Sequence, residues 1–131
     1  MMLTKSLMLF VAAASVACAP SASLTNGSGP RNPNVITRDE IADSHVSNAY
    51  DAVRMLRPAF LQSHGPTSLS GADNGYPKVY LNHQLYGDLD SLKSLDVSGI
   101  SEIHYYNGTE ASNRFGLGNV SGAIEVITTA S

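Results

Sequence analysis

The sequence has no tryptophan, a single cysteine and no cluster of basic residues. Its 131 residues carry a formal net charge of −3, and the 8 Lys and Arg residues are scattered along the chain. Binding to nucleic acid or anionic lipid through charge depends on clustered Lys and Arg, so this composition argues against both. One cysteine excludes an intramolecular disulfide. The length predicts one domain with appendages.

No apolar run reaches the roughly 20 residues that a membrane-spanning helix needs. The longest run, residues 7–14, follows Lys5 and precedes the small residues Ser15 and Ala17. A positive residue, a short apolar stretch and small residues before a cleavage position are the layout of a secretory signal peptide. We therefore predict that residues 1–17 are a signal peptide and that the mature protein is exported.

Cys18 directly follows this stretch. The arrangement is typical of a bacterial lipoprotein signal, in which the cysteine becomes the lipidated first residue of the mature chain. The match is imperfect, because Ser15 stands three residues before Cys18, where an aliphatic residue is usual. Cleavage by the ordinary signal peptidase after Ala17 or Ala19 is the alternative. We predict lipidation of Cys18, since a lone cysteine here has no other evident use.

Residues 18–33 are predicted to be a flexible linker that carries this anchor. They consist mainly of Ser, Ala, Asn, Gly and Pro, and Leu24 is almost the only large apolar residue. Such a segment buries too little surface to offset the entropy lost on ordering. A folded domain is expected over residues 34–131.

Helix signals lie in the first half of that domain. Thr37 and Glu40 have the spacing of a capping box, which predicts a short helix over residues 38–43. Ser47 or Asn48 is expected to cap a second helix, which Pro58 ends at residue 57. Its apolar stripe at helical spacing is Ala49, Ala52, Val53 and Leu56.

Strands and turns follow. Phe60 and Leu61 are predicted to start a short strand. Residues 63–77 are predicted to form a long loop. Alternation over residues 78–82 predicts a strand with a turn at Asn82 and His83. Asp88 or Asp90 is expected to cap a short helix carrying Leu92 and Leu95.

The sequence of the last third of the domain predicts a strand, a short helix and a second strand. The first strand runs through Ile103 and Tyr105, and the helix covers residues 109–114 with Thr109 as its cap. The apolar run at residues 122–129, interrupted by Glu125, predicts the most deeply buried strand. This order predicts an α+β fold, a small mixed β-sheet with short helices on it.

Residues 34–131 resemble the plug domain of TonB-dependent outer-membrane receptors. Three blocks carry the resemblance: VITRDEI at residues 35–41 with the helix after it, VYLN at 79–82, and ISEIHYYNGTEA at 100–111, followed by FG at 115–116 and GAIEVITT at 122–129. The chain departs from the family at Asn82–His83, where Asp-Gly is frequent, and at Ala59, where a glycine usually follows the proline. No motif for engaging the energy-transducing partner is visible near the mature N-terminus.

The resemblance implies a non-enzymatic accessory or binding domain at the bacterial outer membrane, in the periplasm and linked to TonB-dependent uptake. A transmembrane barrel needs at least about eight strands of roughly 9 to 11 residues, which this chain has no room for. We therefore expect a free-standing plug-like domain held by a lipid on Cys18. Its expected partner is an outer-membrane barrel protein or a second copy of itself.

Catalytic and metal signals are weak. His45, His64, His83 and His104 lack the spacing of a metal site, and the glycine-rich residues 116–122 lead into a strand rather than a helix. The sequence thus predicts neither a cofactor nor a metal. The alternative function is a secreted small hydrolase or ligand-processing enzyme that uses His64 or His104 with an acid.

Tyrosines are the best candidates for binding. A tyrosine ring offers contact area together with a polar group. The competing interpretation is that these rings cover the second face of the sheet. The five candidates are Tyr76, Tyr80, Tyr86, Tyr105 and Tyr106.

Overall fold

A computed structural model describes residues 31–65 and 74–129. The predicted signal peptide, Cys18 and most of the predicted linker lie outside these residues. The described strands are β1 Val35–Thr37, β2 Lys78–Leu81, β3 Gln84–Gly87, β4 Ile100–Tyr106 and β5 Ala123–Thr128. The described helices are α1 Arg38–Ser44, α2 Ala49–Leu56 and α3 Gly108–Phe115, with 3₁₀ helices at Pro58–Leu61, Leu89–Ser94 and Val97–Gly99.

The five strands form one sheet in the order β1-β4-β5-β2-β3. The central strand β5 pairs antiparallel with β4 and parallel with β2, so the sheet is mixed. The apolar sequence of β5 suits this position, because a central strand is covered on both faces. The predicted α+β fold with a small mixed sheet and short helices is confirmed.

Apolar side chains pack on both faces of the sheet. The larger core joins α1, α2 and the three 3₁₀ helices to one face, and its fully buried members include Ile36, Val53, Leu92, Ile103 and Val126. The smaller core lies on the other face, where α3 packs Ala111 and Phe115 against Tyr80 and Ala123.

Local helix signals are reproduced in the first half of the domain. Thr37 and Glu40 form the predicted capping box at the start of α1. Asn48 caps α2, and its side chain accepts a hydrogen bond from the N–H of Asp51 at 2.9 Å. The predicted apolar stripe faces the core, with Ala49, Ala52 and Val53 fully buried.

Two local predictions are wrong. Phe60 and Leu61 do not start a strand but belong to the 3₁₀ helix Pro58–Leu61, where Pro58 occupies the first helical turn and needs no N–H partner there. Thr109 is not the cap of α3. That cap is Asn107, whose side chain accepts from the N–H groups of Thr109 and Glu110 at 3.0 Å each.

Strand β3 was not expected from the sequence. The predicted turn before it is present, with Asn82 at φ 47° and His83 at φ 71°. Two successive left-handed residues form the tight turn that suits a β-hairpin, and β3 pairs antiparallel with β2.

Glu40 links the start of α1 to the end of α2. Its carboxylate accepts the N–H of Thr37 at 3.1 Å and lies 3.0 Å from Nη2 of Arg57. Burial alone would raise the pKa of Glu40. The Thr37 N–H and the Arg57 guanidinium outweigh it and hold the pKa below its ordinary value of 4.5.

No helix within residues 31–65 and 74–129 has the length and apolar character needed to cross a membrane.

We predict that Glu40→Gln destabilises the domain at neutral pH, because glutamine keeps the cap but loses the charge. The lowered pKa stabilises the folded state fully above the ordinary value of 4.5, and this contribution is lost as the pH falls through the folded-state pKa. Urea denaturation of both proteins at pH 7 and at about pH 3 measures the difference, which should shrink at the lower pH. An equal difference at both pH values would contradict the prediction. The control is Asp39→Asn, an exposed acid in the same helical turn.

Candidate functional site

The five candidate tyrosines do not share one surface. Tyr80 is 7% exposed, and its hydroxyl donates to Oδ1 of Asn119 at 2.9 Å. Its ring stacks on Phe115 with 3.9 Å between centroids. Tyr80 therefore covers the second face of the sheet, as the competing interpretation expected for all five tyrosines.

Tyr105 and Tyr106 are half-buried on opposite faces of β4. Tyr105 stacks on Phe60 with centroids 4.9 Å apart, and burial raises the pKa of its hydroxyl. Tyr106 packs edge-on against Phe115 at 5.7 Å. Both rings contribute mainly to packing, with part of each ring reaching the surface.

Tyr76 and Tyr86 are exposed, at 43% each. Tyr76 precedes β2, and Tyr86 lies in β3 with its hydroxyl 3.1 Å from Oγ of Ser94. Of the five candidates, these two present the most ring surface to a partner.

The outer side of β3 is a free edge of the sheet within the described residues. Leu85 is 61% exposed beside Tyr86, and β3 contains no charged residue. We call Leu85, Tyr86 and the unpaired backbone of β3 the edge surface. An exposed, uncharged edge strand with apolar side chains is a template for pairing with a further strand.

A buried carboxylate lies at the centre of the sheet. Glu125 in β5 is fully buried, and four groups surround it. Oε1 accepts the backbone N–H of His83 at 3.1 Å and lies 2.5 Å from Nδ1 of the same residue. Oε2 accepts from the hydroxyl of Tyr106 at 3.1 Å and from Nε of Arg114 at 3.2 Å.

This Glu125 cluster is a structural anchor. A buried carboxylate is tolerated when charge and hydrogen bonds compensate it, and here both oxygens are used. Burial and the hydrogen bond to Glu125 raise the pKa of Tyr106, which keeps its hydroxyl protonated and able to donate. The cluster ties the β2–β3 turn, β4 and α3 to the central strand.

Neither histidine of the enzymatic alternative is part of a nucleophile–histidine–acid arrangement in the described residues. Nε2 of His64 lies 3.3 Å from the Tyr105 hydroxyl, and the rings stack at 6.3 Å. Nε2 of His104 lies 2.6 Å from Oε2 of Glu102, two residues away on the same face of β4. His104 thus has an acid, but no serine or threonine hydroxyl is bonded to it there.

No group of His, Cys, Asp or Glu side chains in the described part of the chain is arranged to hold a metal ion. What the described surface offers to a ligand or partner is the aromatic and apolar contact area of Tyr76, Leu85 and Tyr86, together with the free edge of β3.

Comparison of the chain with models of protein families, with curated proteins and with solved structures finds no match.

Sequence reasoning missed the role of Glu125, although a signal was present. A single carboxylate inside an apolar run of a central strand must be compensated by some partner. Which partners do so was not visible, because His83 lies 42 positions away and Tyr106 lies 19 positions away.

We predict that Arg114→Met destabilises the domain by about 1–3 kcal/mol, because the buried carboxylate of Glu125 loses the guanidinium that donates to its Oε2. The Arg114 side chain is 40% exposed, so water already screens part of the interaction. Chemical denaturation measures the loss.

Arg54→Met is the matched control, since Met and Arg have similar helix propensity. Arg54 is 66% exposed and pairs with Asp51 on the surface, so its loss should stay below about 0.5 kcal/mol. Adding Glu125→Gln to Arg114→Met should recover part of the stability. If Arg54→Met and Arg114→Met lowered the free energy of unfolding equally, Glu125 would not need the guanidinium of Arg114.

Proposed function

We propose that this protein is a non-enzymatic, plug-like accessory domain at the bacterial outer membrane. A lipid on Cys18 holds it in the periplasm, and it binds a partner protein through the edge surface. The expected partner is a barrel protein of TonB-dependent uptake. The observation that carries the binding function is the free, uncharged edge of β3 with exposed Leu85 and Tyr86.

The order of elements supports the plug-like part of the proposal. The block at residues 35–41 lies on β1 and the start of α1, and α2 follows as the longer helix. The block at 79–82 lies on β2 and its turn. The remaining blocks give β4, α3 and β5, a strand, a short helix and a central strand in the sequence expected of the resemblance.

The chemistry of the edge supports a protein partner. A strand added beside β3 would bond to its free backbone groups, while pockets for alternate side chains give selectivity. Leu85 and Tyr86 supply the kind of contact area that interfaces bury at their centre. A small ligand would gain little from a flat edge, because small-molecule sites are concave.

The enzymatic alternative rests on the pair formed by His104 and Glu102. Its motivation is the 2.6 Å contact between Nε2 and Oε2. A hydrolase built on this pair would lose turnover in His104→Ala while keeping its fold. If His104→Ala shows the same activity as the unaltered protein in hydrolase screens, the enzymatic alternative fails and the binding function is favoured.

We expect the precursor to incorporate a radiolabelled or alkyne-tagged fatty acid when it is produced in bacteria. Cys18→Ser should abolish the label and release the protein from the membrane fraction, because the thiol is the site of lipid attachment. Ser15→Leu is the matched control, since it brings the signal closer to the lipoprotein pattern and should keep or increase labelling. Labelling that persists in Cys18→Ser would exclude this anchor.

We expect Leu85→Glu to lose the partner that co-purifies with the tagged protein from detergent-solubilised envelope. A charge on an edge strand opposes pairing with another strand. Leu117→Glu is the matched control, because Leu117 is 99% exposed in the loop after α3, outside the edge surface. Mass spectrometry identifies what is captured. Equal capture by both variants would rule out the edge surface as the docking site.

A further inference from the structure

A cleft of about 440 Å³ lies beside the start of the 3₁₀ helix Leu89–Ser94. Tyr50 of α2 and Tyr76 line it with the carboxylates of Asp88 and Asp90, and Leu61 and Leu89 add apolar surface. Aromatic faces, aliphatic surface and carboxylates in one cleft are the chemistry that binds an organic cation with an aliphatic stem.

A cation of the protein itself already contacts two of the residues that line this cleft. Nζ of Lys93 is 4.9 Å from the ring centroid of Tyr50 and 2.7 Å from Oδ1 of Asp90. The hydrogen bond to Asp90 raises the pKa of Lys93, so the ammonium stays charged. Tyr50 and Asp90 are thus arranged to hold a positive group.

Asp88 is the carboxylate that Lys93 does not neutralise. It occupies the cap position of the 3₁₀ helix, yet its side chain makes no capping hydrogen bond. No Lys, Arg or His of the described residues forms an ion pair with it. Its charge is therefore available to a cation that enters the cleft.

We propose that the cleft between Tyr50, Tyr76 and Asp88 binds an arginine side chain of a partner protein. A guanidinium stacks on a tyrosine ring and bonds a carboxylate at the same time, which a compact ammonium does less well. The aliphatic stem would lie on Leu61 and Leu89. This inference concerns a surface distinct from the edge surface, and it stands or falls independently of the lipid anchor and of the edge.

The test titrates the purified full-length chain with N-acetyl-arginine methylamide and follows the ring resonances of Tyr50 and Tyr76 by NMR. The citrulline analogue is the matched probe, because it has nearly the same shape and no charge. A single residue of this size should bind with a Kd on the order of 1 mM. The arginine probe should shift both rings and the citrulline analogue should not.

Substitutions at two exposed residues should change the affinity for the arginine probe in opposite directions. Asp88→Asn should weaken binding about two- to fivefold, because it removes one exposed ion pair. Lys93→Met should tighten binding by a similar factor, because it frees Asp90 and the ring of Tyr50 from the internal competitor. Asp39→Asn, on an exposed turn of α1, is the control and should leave the Kd unchanged.

Three results would overturn the proposal. One is the absence of ring shifts up to about 20 mM of the arginine probe, well above the expected Kd. The second is an equal response to the citrulline analogue. The third is an unchanged or weaker affinity in Lys93→Met, since the cleft would then not be shared by Lys93 and the ligand. None of these depends on capture by the edge surface, so the two proposals fail separately.

Discussion

The carboxylate of Glu125 is fully buried in the middle of the central strand, and the second face of the sheet is organised around it. The β2–β3 turn contributes His83, β4 contributes Tyr106 and α3 contributes Arg114. Leaving this buried carboxylate without one of its partners costs about 1–3 kcal/mol. Any arrangement that moves the turn, β4 or α3 away from β5 therefore meets this cost, so a single charge positions three elements at once.

The turn that reaches Glu125 also determines where the free edge lies. Asn82 and His83 both have positive φ, which directs the His83 N–H toward β5. Asn82 adds two bonds to Thr128, donating to Oγ1 at 2.8 Å and accepting its N–H at 3.0 Å. Among the described residues, strand β3 pairs with β2 alone, yet both residues of the turn that precedes it are hydrogen-bonded to the central strand. The edge surface is consequently a fixed feature of the sheet.

Range along the chain explains only part of what the sequence predicted and what it missed, because the Thr109 cap and the Phe60 strand were wrong although their signals are local. The capping box of α1 and the Asn48 cap of α2 involve residues three positions apart, so their signals are local and the predictions were right. Phe60 was misplaced because two adjacent apolar residues fit a strand and a helical turn equally well. Strand β3 lacks alternation, since Leu85 and Tyr86 are neighbours and both exposed. The Glu125 cluster and the cleft join residues far apart, and one sequence carries no information on which distant groups meet.

The two faces of the sheet differ in how many of their polar side chains have a partner within the domain. On the face that α3 covers, the buried carboxylate and the hydroxyls of Tyr80 and Tyr106 have hydrogen-bond partners. The exposed tyrosines, Leu85 and the unneutralised Asp88 lie instead around β3 and the 3₁₀ helix after it. A partner that binds there meets a surface ordered in advance, so little conformational entropy is lost on the side of this protein.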